Sequence, residues 1–178
     1  DALSVQGLGT GTVTFGIHIA APALAFGPDS PVDKLARERL STVYMPGFKL
    51  TMLPDELVQA YTLIAGRDCP AVSMYVTIDE ATLAITGSET KLERVAIKAN
   101  LRHDQLDDVI TEATLTGAAP AHYDFANELA FCFRLAKDLK VKRELVRGKP
   151  ENFNRPDYNF KLEDKQGGKD AEPTGNER

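Results

Sequence analysis

The chain has 178 residues, 43% hydrophobic and 26% charged, the balance of an ordinary globular domain long enough to bury a core. No apolar run approaches the roughly 20 residues a spanning helix needs, so no membrane partner is expected, and a formal net charge of −5 weighs against a surface given over to nucleic acid. Cys69 and Cys132 are far apart and form no CxxC pair, and no basic-then-apolar leader points to secretion, so the expectation is a cytoplasmic protein with reduced thiols.

The first elements read as strands. Asp1 to Val5 is a short one, and Val13, Phe15, Ile17 and Ile19 alternate with Thr14, Gly16 and His18, the period of a strand with one buried face. Gly7, Gly9 and Gly11 between them imitate a dinucleotide-binding cluster. That fingerprint needs a helix after it to receive the phosphate; a second strand follows instead, so the cluster is a hairpin loop. His18 falls on the polar side of its strand, without partners at ligand spacing, and reads as a surface or hydrogen-bonded histidine.

From Asp33 to Glu56 the pattern is unusual. Ser30, Pro31 and Asp33 supply a cap, a first-position proline and a third-position carboxylate, opening a helix whose buried stripe is Val32, Leu35, Ala36 and Leu40. Tyr44 then sits on an extended turn before Pro46-Gly47, and Pro54, Asp55 and Glu56 open a second helix with Leu57, Ala60, Tyr61 and Ile64 inward, closed by Gly66. An aromatic wedged between a helix end and a Pro-Gly break suits a site that stacks a planar ligand.

The clearest strand follows, Val72, Met74, Val76 and Ile78 alternating with Ser73, Tyr75 and Thr77, then a turn at Asp79–Thr82. Leu83–Thr86 and Leu92–Leu101 return. His103, Asp104, Asp107 and Asp108 gather potential metal ligands, but a helix capped by Asp104 with Leu106, Val109, Ile110 and Ala113 inward explains them better. A long helix from about Ala121 to Arg147 repeats Phe125, Leu129, Cys132, Leu135 and Leu139, with Gly148 and Pro150 ending it. Its distal half carries Arg134, Lys137, Lys140, Lys142, Arg143, Arg147 and Lys149. Such a run either offsets the helix dipole or tracks phosphates.

Arg155 to Leu162 reads as a final strand with Tyr158, Phe160 and Leu162 on one face, and the composition from Gly167 onward is that of a solvated tail. The chain starts without Met inside a strand and stops without a closing element, as a piece cut from a longer protein would. Strands, helices, strands, long helices and a strand, without internal repeats, make an α+β architecture: a mixed β-sheet packed with helices.

Five stretches taken together resemble one family. Asp1-Ala2-Leu3, Ile17-His18-Ile19-Ala20, Ser41 to Gly47, Met52 to Leu57 and Arg155 to Phe160 stand in the order and spacing of the catalytic domain of the RNB family, that of ribonuclease II and ribonuclease R. On this resemblance residues 1–163 are the N-terminal portion of that domain and residues 164–178 a polar loop or tail leading onward. It implies a 3′-to-5′ exoribonuclease that degrades single-stranded RNA processively to nucleoside 5′-monophosphates with Mg2+, in a longer protein with flanking RNA-binding domains.

The family's metal site is a run of aspartates, and Asp1 resembles the last of them. Hydrolysing a phosphodiester requires an activated water and a stabilised leaving oxygen, which clustered carboxylates and their ions supply; with one such carboxylate, this chain alone is expected to be inactive. Tyr44 resembles the tyrosine that stacks on bases near the 3′ end and sets the length of the final product. Lys140 and Arg143 are the candidate backbone contacts. Two departures stand out. Asn100-Leu101-Arg102-His103 replaces a second clamping tyrosine motif, leaving His103 as a weaker stacking candidate, and Ala21 stands where members often carry Asp after the His-Ile-Ala motif. The competing expectations are a non-catalytic RNA-binding relative and an interaction module.

Overall fold

The computed structural model describes residues 1–151, without the side chains of His103 and Asp104. The final strand expected at 155–162 and the tail from 164 lie outside the described residues. In chain order the elements are β1 (Ala2–Gln6), β2 (Thr12–Ala20), a 3-10 turn (Pro22–Ala25), α1 (Pro31–Arg39), β3 (Val43–Met45), β4 (Phe48–Leu50), α2 (Asp55–Tyr61), β5 (Asp68–Asp79), β6 (Ile85–Ala96), α3 (His103–Leu106), α4 (Glu112–Leu115) and α5 (Ala126–Arg147). They fall into two units, one made of residues 1–21 and 61–150, the other built on Pro22–Ala60.

The first unit is a four-stranded sheet in the order β1-β2-β5-β6. The α+β class is as expected, and every pairing among the described residues is antiparallel. Ala2 faces His18 across β1 and β2, and His18 faces Ser73 across β2 and β5. β1 has five residues, and among the described residues β2 is its sole strand neighbour.

Each face of the sheet is buried at a different end. On one, Phe131 and Leu135 of α5 close over Val13, Ile78 and Leu83. On the other, at the opposite end of the strands, Leu63 and Ile97 pack with Cys69 and Ala71. This division corrects the expectation of one buried face along β2, where Ile19 is 52% exposed and His18 on the opposite face is buried. Val72 and Met74 share the face of Ile78, but α5 covers the Ile78 end, and the two stay 42% and 41% exposed. Both cysteines are free thiols, Cys69 buried.

Gly7, Gly9 and Gly11 form the β1–β2 hairpin loop, all at positive φ. At Gly7 a Cβ would also lie 2.5 Å from the carbonyl oxygen of Thr12. The Glu80 carboxylate accepts from the Gly9 N–H, 2.9 Å to each oxygen, and from the Gly11 N–H at 3.1 Å. The glycine cluster therefore holds an anion, supplied by this protein's own β5–β6 turn.

Helix signals are right in kind and less so in extent. Ser30 Oγ caps α1 by accepting from Asp33 N–H, and Ala36 is buried as expected. Leu40 is not part of the stripe: it ends the helix at φ 62° and is 79% exposed. α2 stops at Tyr61, leaving Ile64 exposed and Leu63 buried instead. The helix expected from Asp104 is two short ones, because Thr111 opens a new capping box with Thr114. α5 begins at Ala126, five residues after the expected start, behind Phe125 in the left-handed region, and ends at Gly148 as anticipated.

Candidate functional site

Tyr44 lies on a β-hairpin rather than a bare turn. Pro46 and Gly47 connect β3 to β4, and the positive φ of Gly47 supplies the conformation a Pro-Gly turn requires. The ring is 80% exposed, so it does not pack beneath the loop. Lys49 pairs directly with Tyr44, and alternation puts both on one face of the ribbon. Val43, Met45, Phe48 and Leu50 take the other face and are exposed as well. A ring beside a cation suits a base next to a phosphate. Lys49 was missed in the sequence because the two-residue turn that sets it opposite Tyr44 was read only as a break.

The base of this hairpin is clamped. Arg39 Nη1 donates to the Thr51 carbonyl at 2.7 Å, Met52 N–H donates to Thr42 Oγ1 at 3.1 Å, and Thr51 Oγ1 donates to Asp55 Oδ1 at 3.2 Å. Helix α1, the ribbon and α2 are thereby joined within their unit, and Tyr44 projects from a fixed support.

Asp1 is exposed, one residue ahead of edge strand β1. A carboxylate is the right donor for a hard divalent ion, but a single one does not hold it. Among the described residues no group of three or more His, Cys, Asp or Glu side chains converges. These residues do not make a magnesium site by themselves. Asp107 and Asp108 belong to no such cluster among the described residues, and the side chains of His103 and Asp104 lie outside the description. Ala21 is buried at the end of β2.

The polar feature that periodicity did not reveal crosses the sheet beside the Leu63 core. His18 is 1% exposed, its Nδ1 2.8 Å from Ser73 Oγ and its Nε2 2.9 Å from Ser4 Oγ. It is the hydrogen-bonded histidine of the two expectations. Its ring meets Tyr75 edge-on at 5.6 Å, and the Tyr75 hydroxyl donates to Glu93 Oε1 at 2.7 Å. Burial lowers the pKa of His18, partly opposed by the negative charge of Glu93. The hydroxyls of Ser73 and Tyr75 hold Glu93 below the usual carboxylate range, and the Glu93 acceptor raises Tyr75. Beyond this chain a shallow recess of about 280 Å³ is lined by Gln6, Thr14, Tyr75, Glu89 and Lys91.

Lys140 and Arg143 stand on the distal half of α5. Lys140 is 3.9 Å from Glu144, and Lys142 makes a shorter pair of 2.7 Å with Asp138. Lys137 reaches Glu112 at 2.5 Å and lies 4.4 Å above the Phe133 ring. Several cations of the run thus have local acidic partners, at i,i+4 spacing or on α4. Of Asp1, Tyr44, His103, Lys140 and Arg143, only the last two share an element.

A family model described as "RNB domain" matches residues 1–176. The chain is 30% identical over 167 residues to an "Exoribonuclease 2" of Vibrio parahaemolyticus, covering 91% of this chain and 24% of that protein. Among solved structures it is similar to Mycoplasma genitalium RNase R in complex with ribose-methylated single-stranded RNA, with TM-score 0.69, 22% identity, and coverage of 92% of this chain and 25% of that one. It is also similar to yeast Ssd1, described as a pseudonuclease, with TM-score 0.67, 25% identity, and coverage of 84% and 17%. The chain spans about a quarter of the length of the curated exoribonuclease it matches. With the family model running from the edge strand through α5 and beyond, the chain belongs to the RNB domain family.

Proposed function

We propose that this chain is part of a 3′-to-5′ exoribonuclease that hydrolyses single-stranded RNA processively to nucleoside 5′-monophosphates. The reading rests on one observation above the others: a chain of the RNB family presents an exposed tyrosine beside a lysine on a braced hairpin. Tyr44 stacks on a base, which is worth about 1–3 kcal/mol per base and tolerates any sequence. Lys49 neutralises a neighbouring phosphate, and Lys140 and Arg143 add longer-range attraction. Magnesium is the cofactor, with Asp1 as one of several carboxylate ligands, and the chain alone is inactive. The protein is cytoplasmic, with further RNA-binding domains beside this one.

A second reading, a non-catalytic RNA-binding relative, draws support from the likeness to the pseudonuclease Ssd1 and from Ala21 at a position where the family often has Asp. One assay separates the two. The intact protein is incubated with 5′-labelled single-stranded RNA and magnesium. Conversion to a short limit product without accumulating intermediates supports the processive exonuclease. A retarded but uncut RNA supports the binding relative, and neither effect leaves only an interaction module.

A further inference from the structure

The residue ahead of β1 is the one for which the proposed function has most use, yet β1 is short and, among the described residues, an edge strand with a single strand neighbour. Edge strands of this kind fray and slip, and a slip of one residue turns every side chain to the opposite face. Val5 and Ala2 of β1 pack against the two cores, and a polar contact stands beside them. Ser4 on β1, His18 on β2 and Ser73 on β5 are hydrogen-bonded in line across three strands, and on the same face Tyr75, edge-on to His18, donates to Glu93 of β6.

His18 bridges β5 and β1 through both ring nitrogens, Nδ1 at 2.8 Å from Ser73 Oγ and Nε2 at 2.9 Å from Ser4 Oγ. A neutral imidazole donates at one nitrogen and accepts at the other, and each serine hydroxyl can turn to do either, so both contacts form in either tautomer.

Space is reserved for the bond to Ser4. A Cβ on Gly16, which faces Ser4 in the register, would lie 2.4 Å from Ser4 Oγ and 2.9 Å from His18 Nε2. A slip of β1 by one residue would bring Leu3 or Val5 to the buried Nε2 and leave it without a hydrogen-bond partner. Buried polar groups that fix register at some expense of stability have precedent elsewhere.

We propose that His18 is a positioning residue: buried and held between Ser73 and Ser4, it locks the register of β1 through Ser4 and so fixes where Asp1 is presented. This inference rests on the exoribonuclease reading for the use made of Asp1, and not for the lock itself.

The test uses the intact protein with His18→Leu, Ser4→Ala, His18→Gln, and Asp1→Asn as a separate arm. Amide hydrogen exchange of Ala2–Gln6 should quicken at least tenfold in His18→Leu and Ser4→Ala, with no further increase in the double variant. His18→Gln, which keeps a donor and an acceptor, should restore part of the protection. In RNA hydrolysis, kcat should fall at least tenfold with KM for RNA within twofold. Unchanged exchange in β1 would overturn the lock. If exchange quickens while kcat holds, and Asp1→Asn is also without effect, the assigned role of Asp1 fails and the lock stands. Quickened exchange with unchanged kcat, beside a damaging Asp1→Asn, overturns the positioning role.

Discussion

The carboxylate of Glu80 lies 2.9 Å from the backbone nitrogen of Gly9, seventy-one residues earlier in the chain, through both of its oxygens. With the Gly11 N–H at 3.1 Å and the Glu80 N–H donating to the Gly11 carbonyl at 3.0 Å, the turn after β5 is latched to the turn after β1. The Glu80 carbonyl in turn accepts from Arg134 of α5 at 3.1 Å. A partly solvated, charge-assisted latch of this kind contributes about 1 kcal/mol. Glu80→Ala should therefore lower the thermal midpoint by roughly 2–4 °C and speed exchange at Gly9 and Gly11, and Glu80→Gln, which keeps one acceptor, should do less. Unaltered exchange at those two amides would show that the loop holds its shape without the carboxylate.

That latch marks the boundary of what the sequence discloses. Rejecting the glycine cluster as a cofactor loop needs only local order, because a strand and not a helix comes next. Its partner, Glu80, sits in a turn whose spatial position depends on the pairing of β2 with β5, and no local pattern encodes that. The same holds for His18. Alternation correctly sets it opposite Phe15 and Ile17, but whether that face meets water is decided by Leu63, Cys69 and Ile97 from elsewhere in the chain. Caps and helix stops were legible because they are chemistry between residues three or four apart. Thr111 was passed over because its partner, Thr114, is not the usual Glu or Gln of a capping box. Tyr44 was legible as an oddity, and Lys49 was not, since its role needs the hairpin register.

Acid should destabilise the first unit through His18 before it does so through the carboxylates. Burial lowers the pKa of His18 from 6.5, so the unfolded chain takes up a proton that the folded one resists. Stability is then complete above 6.5 and falls as the pH drops from there through the lowered folded value. Facing His18 are Ser4 from β1, Ser73 and Tyr75 from β5 and the negative Glu93 from β6, whose charge moderates the shift without reversing it. Glu93 itself, lowered from 4.5, weakens the fold only in more acidic solution. Thermal midpoints recorded from about pH 7 to 5 should decline in the wild type, and the decline should flatten in His18→Gln. Equal slopes in both would assign the acid sensitivity to other groups.

Tyr44 is exposed and its hairpin is braced from below, so its removal should change RNA contacts and leave folding alone. Tyr44→Ala in the intact protein should lengthen the limit product and weaken binding of short RNA by roughly five- to hundredfold, the equivalent of one lost stack at about 1–3 kcal/mol. The first-turnover cleavage rate on long RNA should stay close to wild type, and so should the thermal midpoint. A limit product of unchanged length would remove the stacking role.

For the distal half of α5, the salt dependence of binding separates a phosphate-tracking surface from a helix end that collects cations. Each phosphate contact on a single strand contributes about 0.7 to the slope of log affinity against log salt. Reversing charge at Lys140 and Arg143 should reduce that slope by up to twice this amount if both touch RNA. A slope that does not move would confine these cations to local pairing and the helix dipole.

Gly16 allows the most local test of how tightly β1 is seated. An alanine there brings a methyl to 2.4 Å from Ser4 Oγ, nearer than van der Waals contact permits, and to 2.9 Å from His18 Nε2. Ser4 must rotate away and give up its bond to His18, or β1 must move off β2. Overpacking of this sort costs about 1–3 kcal/mol, so Gly16→Ala should lower the midpoint of urea unfolding measurably. Adding Ser4→Ala removes the closest clashing atom, and part of the loss should return, making the pair non-additive in the rescuing direction. The contact with His18 remains, so recovery should be incomplete. Strictly additive losses would mean that the methyl acts on the backbone pairing of β2 and not through Ser4.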